Sequence, residues 1–151
     1  MRPPYSGRCL CGAVRYRITD APLVTYACHC TDCQKRSGSA FGLSMWVRRA
    51  SIELTQGEAT MHVSATEDGR PRHTRICATC VTRLWSEPQK RPDIAVLRPG
   101  TLDDTSWVKP QAHIWTHSAQ PWVEIPEGVP RYETQPANFL DLLNAAADPR
   151  T

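Results

Sequence analysis

Apolar and polar residues alternate in short runs along most of the chain, a pattern typical of half-buried β-strands. The clearest run is AVRYRI at residues 13–18, where apolar and basic residues alternate. Further strands are predicted at residues 23–27, 41–47, 51–54, 61–64, 73–76, 94–97 and 113–115. Asp68 and Gly69 lie between two of these runs and indicate a hairpin turn. Thirteen prolines, many of them between the runs, predict short strands with irregular connections.

One segment near the end of the chain has helical periodicity. Asn138 is a suitable N-cap, and the residues that follow place four apolar side chains on one face: Phe139, Leu142, Leu143 and Ala146. The pattern therefore predicts a mainly β, single-domain protein with a short C-terminal helix. We expect a β domain over residues 1–125 and a C-terminal extension that carries the helix over residues 126–151.

Composition narrows the class of protein. The 151 residues are 40% hydrophobic and 22% charged, which is typical of a globular chain. No apolar run approaches the roughly 18 residues of a membrane span, and the first residues lack the apolar stretch of a secretory signal. The net charge of +3 is too small to indicate nucleic-acid binding without a clustered basic patch. We therefore expect a cytoplasmic protein that binds neither membrane nor nucleic acid.

The cysteines carry the chemical signal. There are seven, an odd number for a disulfide framework, and they fall into three tight groups: Cys9 and Cys11; Cys28, Cys30 and Cys33; Cys77 and Cys80. A reducing compartment would keep most of them as thiols. Reduced thiols in clusters of this kind indicate metal binding more than core packing.

The outer two groups together supply four sulfurs, the number that closes a tetrahedral structural zinc site. Residues two apart on a strand face the same side, so Cys9 and Cys11 can approach one ion, and Gly12 permits a tight turn beneath them. Cys77 and Cys80 have the spacing of a zinc knuckle. The alternative is that each pair is an ordinary buried or redox-active dithiol.

The middle group places three sulfurs within six residues, with no fourth cysteine left for it. Three protein ligands with one exchangeable position are characteristic of catalytic zinc sites. Two alternatives stay open: the middle group shares a metal with Cys9 or Cys11, or His29 closes the site. The second conflicts with strand alternation, which turns His29 away from its neighbours.

The three cysteine groups, in this order and spacing, resemble those of the glutathione-dependent formaldehyde-activating enzyme family, which includes the centromere protein V type of domain. The resemblance rests on GRCLCG at residues 7–12, CHCTDCQKRSG at 28–38 and CATC at 77–80, and it extends to HIW at 113–115 and PW at 121–122. It implies an antiparallel β-tent fold. It also implies structural zinc on Cys9, Cys11, Cys77 and Cys80, and catalytic zinc on Cys28, Cys30 and Cys33. Where the family usually has glycine after the last cysteine, this chain has Val81, so a different turn is expected there.

Other side chains are weaker candidates. Six basic residues are candidates to bind glutathione carboxylates, but a solvated face is the simpler interpretation of them: Lys35, Arg36, Arg48, Arg49, Arg72 and Arg75. His29 and Asp32 are candidate proton carriers, while Ser37 and Gly38 are read as a turn. Four tryptophans are read as core residues: Trp46, Trp107, Trp115 and Trp122.

An open three-thiolate zinc favours sulfur chemistry over water activation, because a sulfur-rich, negatively charged site acidifies water weakly and accepts a further sulfur ligand. We therefore expect a carbon–sulfur lyase-like enzyme, similar to S-hydroxymethylglutathione synthase. It would bind two zinc ions and act on an adduct of glutathione, or another small thiol, with formaldehyde or a related aldehyde. The alternative is a non-catalytic zinc-stabilised binding module. The sequence leaves the oligomeric state and the acid–base residues open.

Overall fold

In a computed structural model, which describes residues 2–66 and 69–147, the chain is mainly β. The described residues form eleven strands: β1 (Tyr5–Arg8), β2 (Arg15–Ile18), β3 (Val24–Cys28), β4 (Gly42–Arg48), β5 (Ile52–Gln56), β6 (Thr60–Ala65), β7 (Pro71–Ile76), β8 (Arg83–Glu87), β9 (Ile94–Leu97), β10 (Ala112–Ile114) and β11 (Arg131–Tyr132). They also form two α-helices, α1 (Thr31–Ser37) and α2 (Leu140–Ala147). Among these residues, no helix combines the length and apolar character needed to cross a membrane.

The chain folds as two compact units. Of the described residues, those within 1–22 and 45–108 form the first unit, and those within 23–44 and 109–151 form the second. Each unit contains one of the two groups of cysteines that the structure brings together.

Antiparallel pairing builds the first unit. Strands β1, β2 and β5 form one three-stranded sheet, and residues Met45–Arg48 of β4 continue through β9, β8 and β7 to β6. The core of this unit is a cluster of buried apolar side chains that includes Tyr16, Trp85 and Leu97. Cys9 and Cys77 belong to the same cluster, each only 1% exposed, so this cysteine group is continuous with the core.

The second unit combines parallel strands with both helices. Strand β10 pairs in parallel with β3 on one side and with β11 on the other. Helix α2 packs against β3 and β10, and its Leu142 is fully buried. Helix α1 begins directly after Cys30 and is capped at its C-terminus by Gly38, whose positive φ of 66° suits a residue without a Cβ.

The mainly β fold with a short C-terminal helix is confirmed. All eight predicted strands are present within a few residues of their expected bounds. The antiparallel arrangement holds in the first unit, but β3 and β10 are parallel, because the long connection between them permits a crossover. The hairpin between β6 and β7 forms, with Gly69 at a φ of 79°, while Asp68 lies outside the described residues.

Three strands and one α-helix were not predicted from the sequence: β1, β8, β11 and α1. Helix α1 has only one buried residue, Cys33, so it lacks the apolar stripe by which a helix is recognised. Strand β1 alternates buried and exposed positions, but one of its buried positions is Gly7, which hydrophobicity does not reveal.

Candidate metal centres

The first unit brings four sulfurs together. The Sγ atoms of Cys9, Cys11, Cys77 and Cys80 all lie within 4.8 Å of one another. Cys9 and Cys11 are 3.5 Å apart at Sγ, and Cys11 is 3.8 Å from Cys77. Sulfurs at the corners of a tetrahedral zinc site are about 3.8 Å apart, given zinc–sulfur bonds of about 2.3 Å. The spacing and the soft donors of this cluster therefore fit zinc.

The two cysteines of the first pair do not lie on a strand. Strand β1 ends at Arg8, and the chain then turns, with the Gly12 N–H donating to the Cys9 carbonyl at 3.1 Å. Gly12 has a φ of 77°, which confirms the tight turn expected of it. The strand geometry expected for Cys9 and Cys11 is thus wrong, and the turn, instead of the pleat, brings their sulfurs together.

Hydrogen bonds to sulfur stabilise this cluster. The Val14 N–H donates to Cys9 Sγ at 3.3 Å, and the Thr82 hydroxyl lies 3.0 Å from Cys80 Sγ. The same Thr82 oxygen accepts the Leu10 N–H at 3.1 Å. Thr82 therefore links the two cysteine loops of the first unit, whose residues are about seventy positions apart in sequence.

Ionisation in the cluster is uneven. The Thr82 hydroxyl, helped by backbone N–H groups, lowers the pKa of Cys80 to about 5. The Ala13 backbone N–H acts to lower the pKa of Cys11, but hydrogen bonds with the Cys80 and Cys9 sulfurs outweigh it and raise that pKa to about 12. Crowded thiols cannot all ionise unaided, and a bound cation removes that conflict.

Val81 adopts the backbone conformation that was not expected of it. Its φ is 57°, in the left-handed region that β-branched residues avoid, and its N–H donates to the Cys77 carbonyl at 2.9 Å. The expectation of a different turn is therefore wrong: the valine takes the positive φ that a glycine would take. Its side chain is 66% exposed, so the cost is local backbone strain and not a clash with the core.

The second unit brings three sulfurs together. The Sγ atoms of Cys28, Cys30 and Cys33 lie within 4.8 Å of one another, with Cys28 and Cys30 3.4 Å apart. Cys28 is the last residue of β3, and Cys33 lies in the first turn of α1. The helix therefore supplies the third thiol. Hydrogen bonds with the sulfurs of Cys30 and then Cys33, together with burial, raise the pKa of Cys28. The donor set is again thiolate and fits zinc, with one tetrahedral position not filled by a cysteine.

His29 does not join the three sulfurs. It is completely buried, and its Nε2 lies 2.8 Å from Nδ1 of His113, with the two rings stacked. The ring of His29 is thus outside the thiol cluster, as strand alternation predicts. Burial lowers the pKa of His29, and burial, helped by the charges of His29 and Arg131, lowers the pKa of His113 to about 4. A hydrogen bond between two imidazole nitrogens needs one donor and one acceptor, so a single proton serves the pair.

The weaker candidates are dispersed. Arg49 and Arg75 both donate to the Glu87 carboxylate at 3.0 Å, and Arg48 pairs with Asp20 at 3.7 Å. These three arginines are thus engaged in ion pairs within the first unit. On α1, Lys35 is exposed and Asp32 lies in the first turn. The Ser37 hydroxyl, at the last residue of the helix, donates to the Phe41 carbonyl beyond it.

The tryptophans divide into core and surface. Trp46 is buried, and Trp107 packs against the core of the first unit. Trp115 is half-buried, whereas Trp122 is 72% exposed. The interpretation of Trp122 as a core residue is wrong, because a single aromatic residue beside Pro121 carries no periodicity that distinguishes a surface loop from a core element.

Four polar residues that contact the cysteine loops were not predicted from the sequence to have a role: Thr82, Gln34, His113 and Ser118. The Gln34 amide donates to the carbonyls of His29 and Ser118 at 2.7 and 2.8 Å, and the Ser118 hydroxyl donates to the His29 carbonyl at 3.1 Å. Gln34 and His113 lie inside the stretches that carry the family resemblance, which was the available signal for them.

Known proteins match both the sequence and the fold. A protein of Halomonas elongata named "Putative glutathione-dependent formaldehyde-activating enzyme" is 26% identical over 124 residues, which cover 79% of each chain. The crystal structure of a Rhodobacter sphaeroides protein superposes with a TM-score of 0.51 at 18% identity, over 70% of this chain and 92% of that one, a likeness of fold. Residues 4–118, which include all seven cysteines, match the family described as glutathione-dependent formaldehyde-activating enzyme, and the chain belongs to that family.

Proposed function

We propose that this chain is a zinc-dependent enzyme that makes or breaks the carbon–sulfur bond between a small thiol and a small aldehyde. Glutathione and formaldehyde are the first pair to test, because the family and the Halomonas elongata relative carry those names. The observation that carries the proposal is the presence of one four-sulfur cluster and one three-sulfur cluster in the same chain. Seven reduced cysteines also favour a cytoplasmic location.

In this proposal the two clusters have different tasks. Cys9, Cys11, Cys77 and Cys80 would hold a structural zinc whose four positions are all filled by the protein. Cys28, Cys30 and Cys33 would hold a second zinc and leave one position for a small molecule. Zinc there would supply the positive charge that keeps a thiol as thiolate, the nucleophilic form, at neutral pH.

The three cysteines of the second unit bias the site toward sulfur. Three thiolates would outweigh the charge of a bound divalent cation, so the loaded site would have a net negative charge and would acidify water less than a neutral three-histidine site does. A fourth sulfur matches the softness of the other three. The side chains therefore select a thiol over water and disfavour hydrolysis.

The reaction balances without a redox partner. The thiolate sulfur attacks the carbonyl carbon, a carbon–sulfur bond forms, and the π electrons of the C=O bond move to oxygen. That oxygen takes up a proton equivalent to the one the thiol lost. The reverse reaction breaks the same bond and returns thiol and aldehyde. His29 is buried and bonded to His113, so its ring serves the structure of the loop and is not assigned to this proton transfer.

Exchange spectroscopy by NMR tests the proposal. Glutathione and formaldehyde combine without a catalyst, so the quantity to measure is the increase in the exchange rate per mole of protein above that background. We expect the wild type to raise the rate and Cys30→Ser to abolish the increase while still folding. Gln89→Ala, which alters an exposed amide bonded to His73 in the first unit, is the control and should behave as the wild type. If the metal-loaded wild type leaves the exchange rates of several thiol–aldehyde pairs unchanged, the proposed enzyme activity is refuted and the non-catalytic binding module is favoured.

A further inference from the structure

The residue between the first two thiols of the second unit is fixed from four directions. The His29 N–H donates to the Ile114 carbonyl at 3.0 Å, and its carbonyl accepts both the Gln34 amide and the Ser118 hydroxyl. Its imidazole Nε2 is paired with His113 Nδ1. All these partners belong to the second unit, and His29 itself has no exposed surface.

These contacts act on the two peptide groups that join the cysteines. The His29 N–H belongs to the peptide group shared with Cys28, and the His29 carbonyl belongs to the peptide group shared with Cys30. Peptide groups are planar and rigid, so anchoring both of them fixes the separation and orientation of the two cysteine Cα atoms. The separation of the Cys28 and Cys30 Cα atoms is therefore set by contacts that touch neither sulfur.

Gln34 extends the same control to the third thiol. It follows Cys33 directly on α1, and its amide reaches back to the His29 carbonyl while also donating to the Ser118 carbonyl. Its oxygen accepts the Gln120 amide at 2.8 Å, which orients the amide so that its NH2 group faces the two carbonyls. One side chain thus connects the helix that carries Cys33 to the loop that carries Cys28 and Cys30.

We propose that Gln34 and His113 are positioning residues of the three-cysteine site, which hold its thiols in a metal-ready arrangement before the metal binds. The proposal rests on the proposed function in one respect, that this cluster holds a metal. A site whose ligands are already in place loses less conformational entropy on binding, so its affinity is higher. Supporting residues behind metal ligands typically change affinity by about 10–100-fold.

Cobalt(II) is the probe, because its visible spectrum reports thiolate ligation directly. Chelator competition on the cobalt-loaded full chain gives the affinity of each metal equivalent separately, and the four-cysteine site is an internal reference in every sample. We expect Gln34→Ala and His113→Ala to weaken the second equivalent by about 10-fold or more and leave the first unchanged. Gln89→Ala should change neither equivalent.

A conservative variant separates positioning from packing. Asparagine at position 113 places an amide atom near the position of imidazole Nδ1 and keeps the hydrogen bond to His29, whereas alanine removes it. We therefore expect His113→Asn to restore most of the affinity lost in His113→Ala, together with the wild-type cobalt spectrum. Second-equivalent affinities equal to the wild type in both alanine variants would overturn the proposal, and so would equal losses at both metal sites.

The proposed function can fail separately. If the wild type binds two cobalt equivalents but does not accelerate adduct exchange, the proposed enzyme activity is refuted. Affinity losses in Gln34→Ala and His113→Ala would still support the positioning role in that case. A wild type that binds only one equivalent at any cobalt concentration overturns both proposals.

Discussion

The two cysteine clusters have similar sulfur spacing but are held in place in different ways. In the first unit, donors from Val14 and Thr82 bond to the sulfurs themselves, and two of the four cysteines are part of the hydrophobic core. In the second unit, the Cys30 backbone N–H bonds to the Cys28 sulfur, and the long-range contacts act on the backbone and ring of His29, between the cysteines. From this difference we propose that metal binding and folding would be one process in the first unit, whereas in the second a bound metal could leave a site that remains assembled.

The most severe test of this difference is Cys77→Ser. Structural zinc sites contribute about 10–16 kcal/mol of binding free energy in zinc-finger peptides, which equals or exceeds the whole stability of about 5–15 kcal/mol of a typical protein. We expect Cys77→Ser to lose the first metal equivalent and the native near-UV circular dichroism. A variant that unfolds cooperatively within a few degrees of the wild-type melting temperature would contradict the coupling of metal binding to folding in this unit.

The matching change in the second unit is Cys30→Ser. Here we expect the second metal equivalent to be lost while circular dichroism is kept, because hydrogen bonds to His29 hold the loop without the metal. Thermal unfolding monitored on the metal-loaded protein should shift by only a few degrees. Collapse of the fold in this variant, as severe as in Cys77→Ser, would erase the distinction between the two clusters.

Acid should affect the second unit through His113. Its pKa is about 4 in the folded protein and 6.5 in the absence of the fold, so between these values the unfolded chain binds more protons. The neutral ring contributes to the free energy of unfolding. This contribution is fully present above pH 6.5 and is lost as the pH falls toward 4, which lowers the stability by an amount on the order of 2 kcal/mol. His113→Asn, which cannot titrate, should show a smaller loss of urea stability between pH 7 and pH 4.5. An identical pH profile for the two proteins would show that the pair does not titrate as described.

Thr82→Val removes the hydroxyl that links the two loops of the first site. The Leu10 N–H loses its acceptor and Cys80 loses a donor, which should cost about 1–2 kcal/mol of stability. We expect cobalt competition to show weaker binding of the first equivalent alone. Thr55→Val, at an exposed position of β5, is the control and should leave both equivalents unchanged.

The smallest expected effect is an increase in the stability of the folded protein. Val81→Gly relieves a positive φ that costs a valine roughly 1–2 kcal/mol of stability. The greater conformational freedom of glycine in the unfolded chain offsets part of this stabilisation. We expect a net stabilisation of about 0.5–1 kcal/mol in urea titrations. Val63→Gly, at an exposed position of the extended strand β6, should destabilise the protein instead. A destabilising Val81→Gly would mean that the strained conformation is supported by contacts of the valine side chain.

The sequence was informative where chemistry repeats at short spacing. Alternating hydrophobicity located most strands, and the cysteine spacing anticipated the groups of four and three sulfurs. Helix α1 was not visible, because its seven residues bury only Cys33 and its position depends on contacts with residues far away in the chain. The turn at Cys9 and Cys11 was also missed, since alternation describes strands and not the loops that follow them.

The polar contacts that hold the second site were beyond prediction. Gln34 and Ser118 are 84 residues apart, as are His29 and His113. A glutamine or serine on the surface of a helix or loop has many available partners, and only the folded chain selects one. The positive φ of Val81 was unexpected for the opposite reason: the intrinsic preference of valine was clear, but the hydrogen bond from its N–H to the Cys77 carbonyl overrides it.

The central claim is that the three-cysteine site keeps one position for a thiol while the four-cysteine site is closed. The most direct measurement is a glutathione titration of the protein loaded with two equivalents of cobalt(II), followed through its visible spectrum. We predict a saturable change from one glutathione per chain, confined to the second equivalent and absent from Cys30→Ser loaded with its single equivalent. A wild-type spectrum that glutathione leaves unaltered, or the same change in Cys30→Ser, would contradict the account.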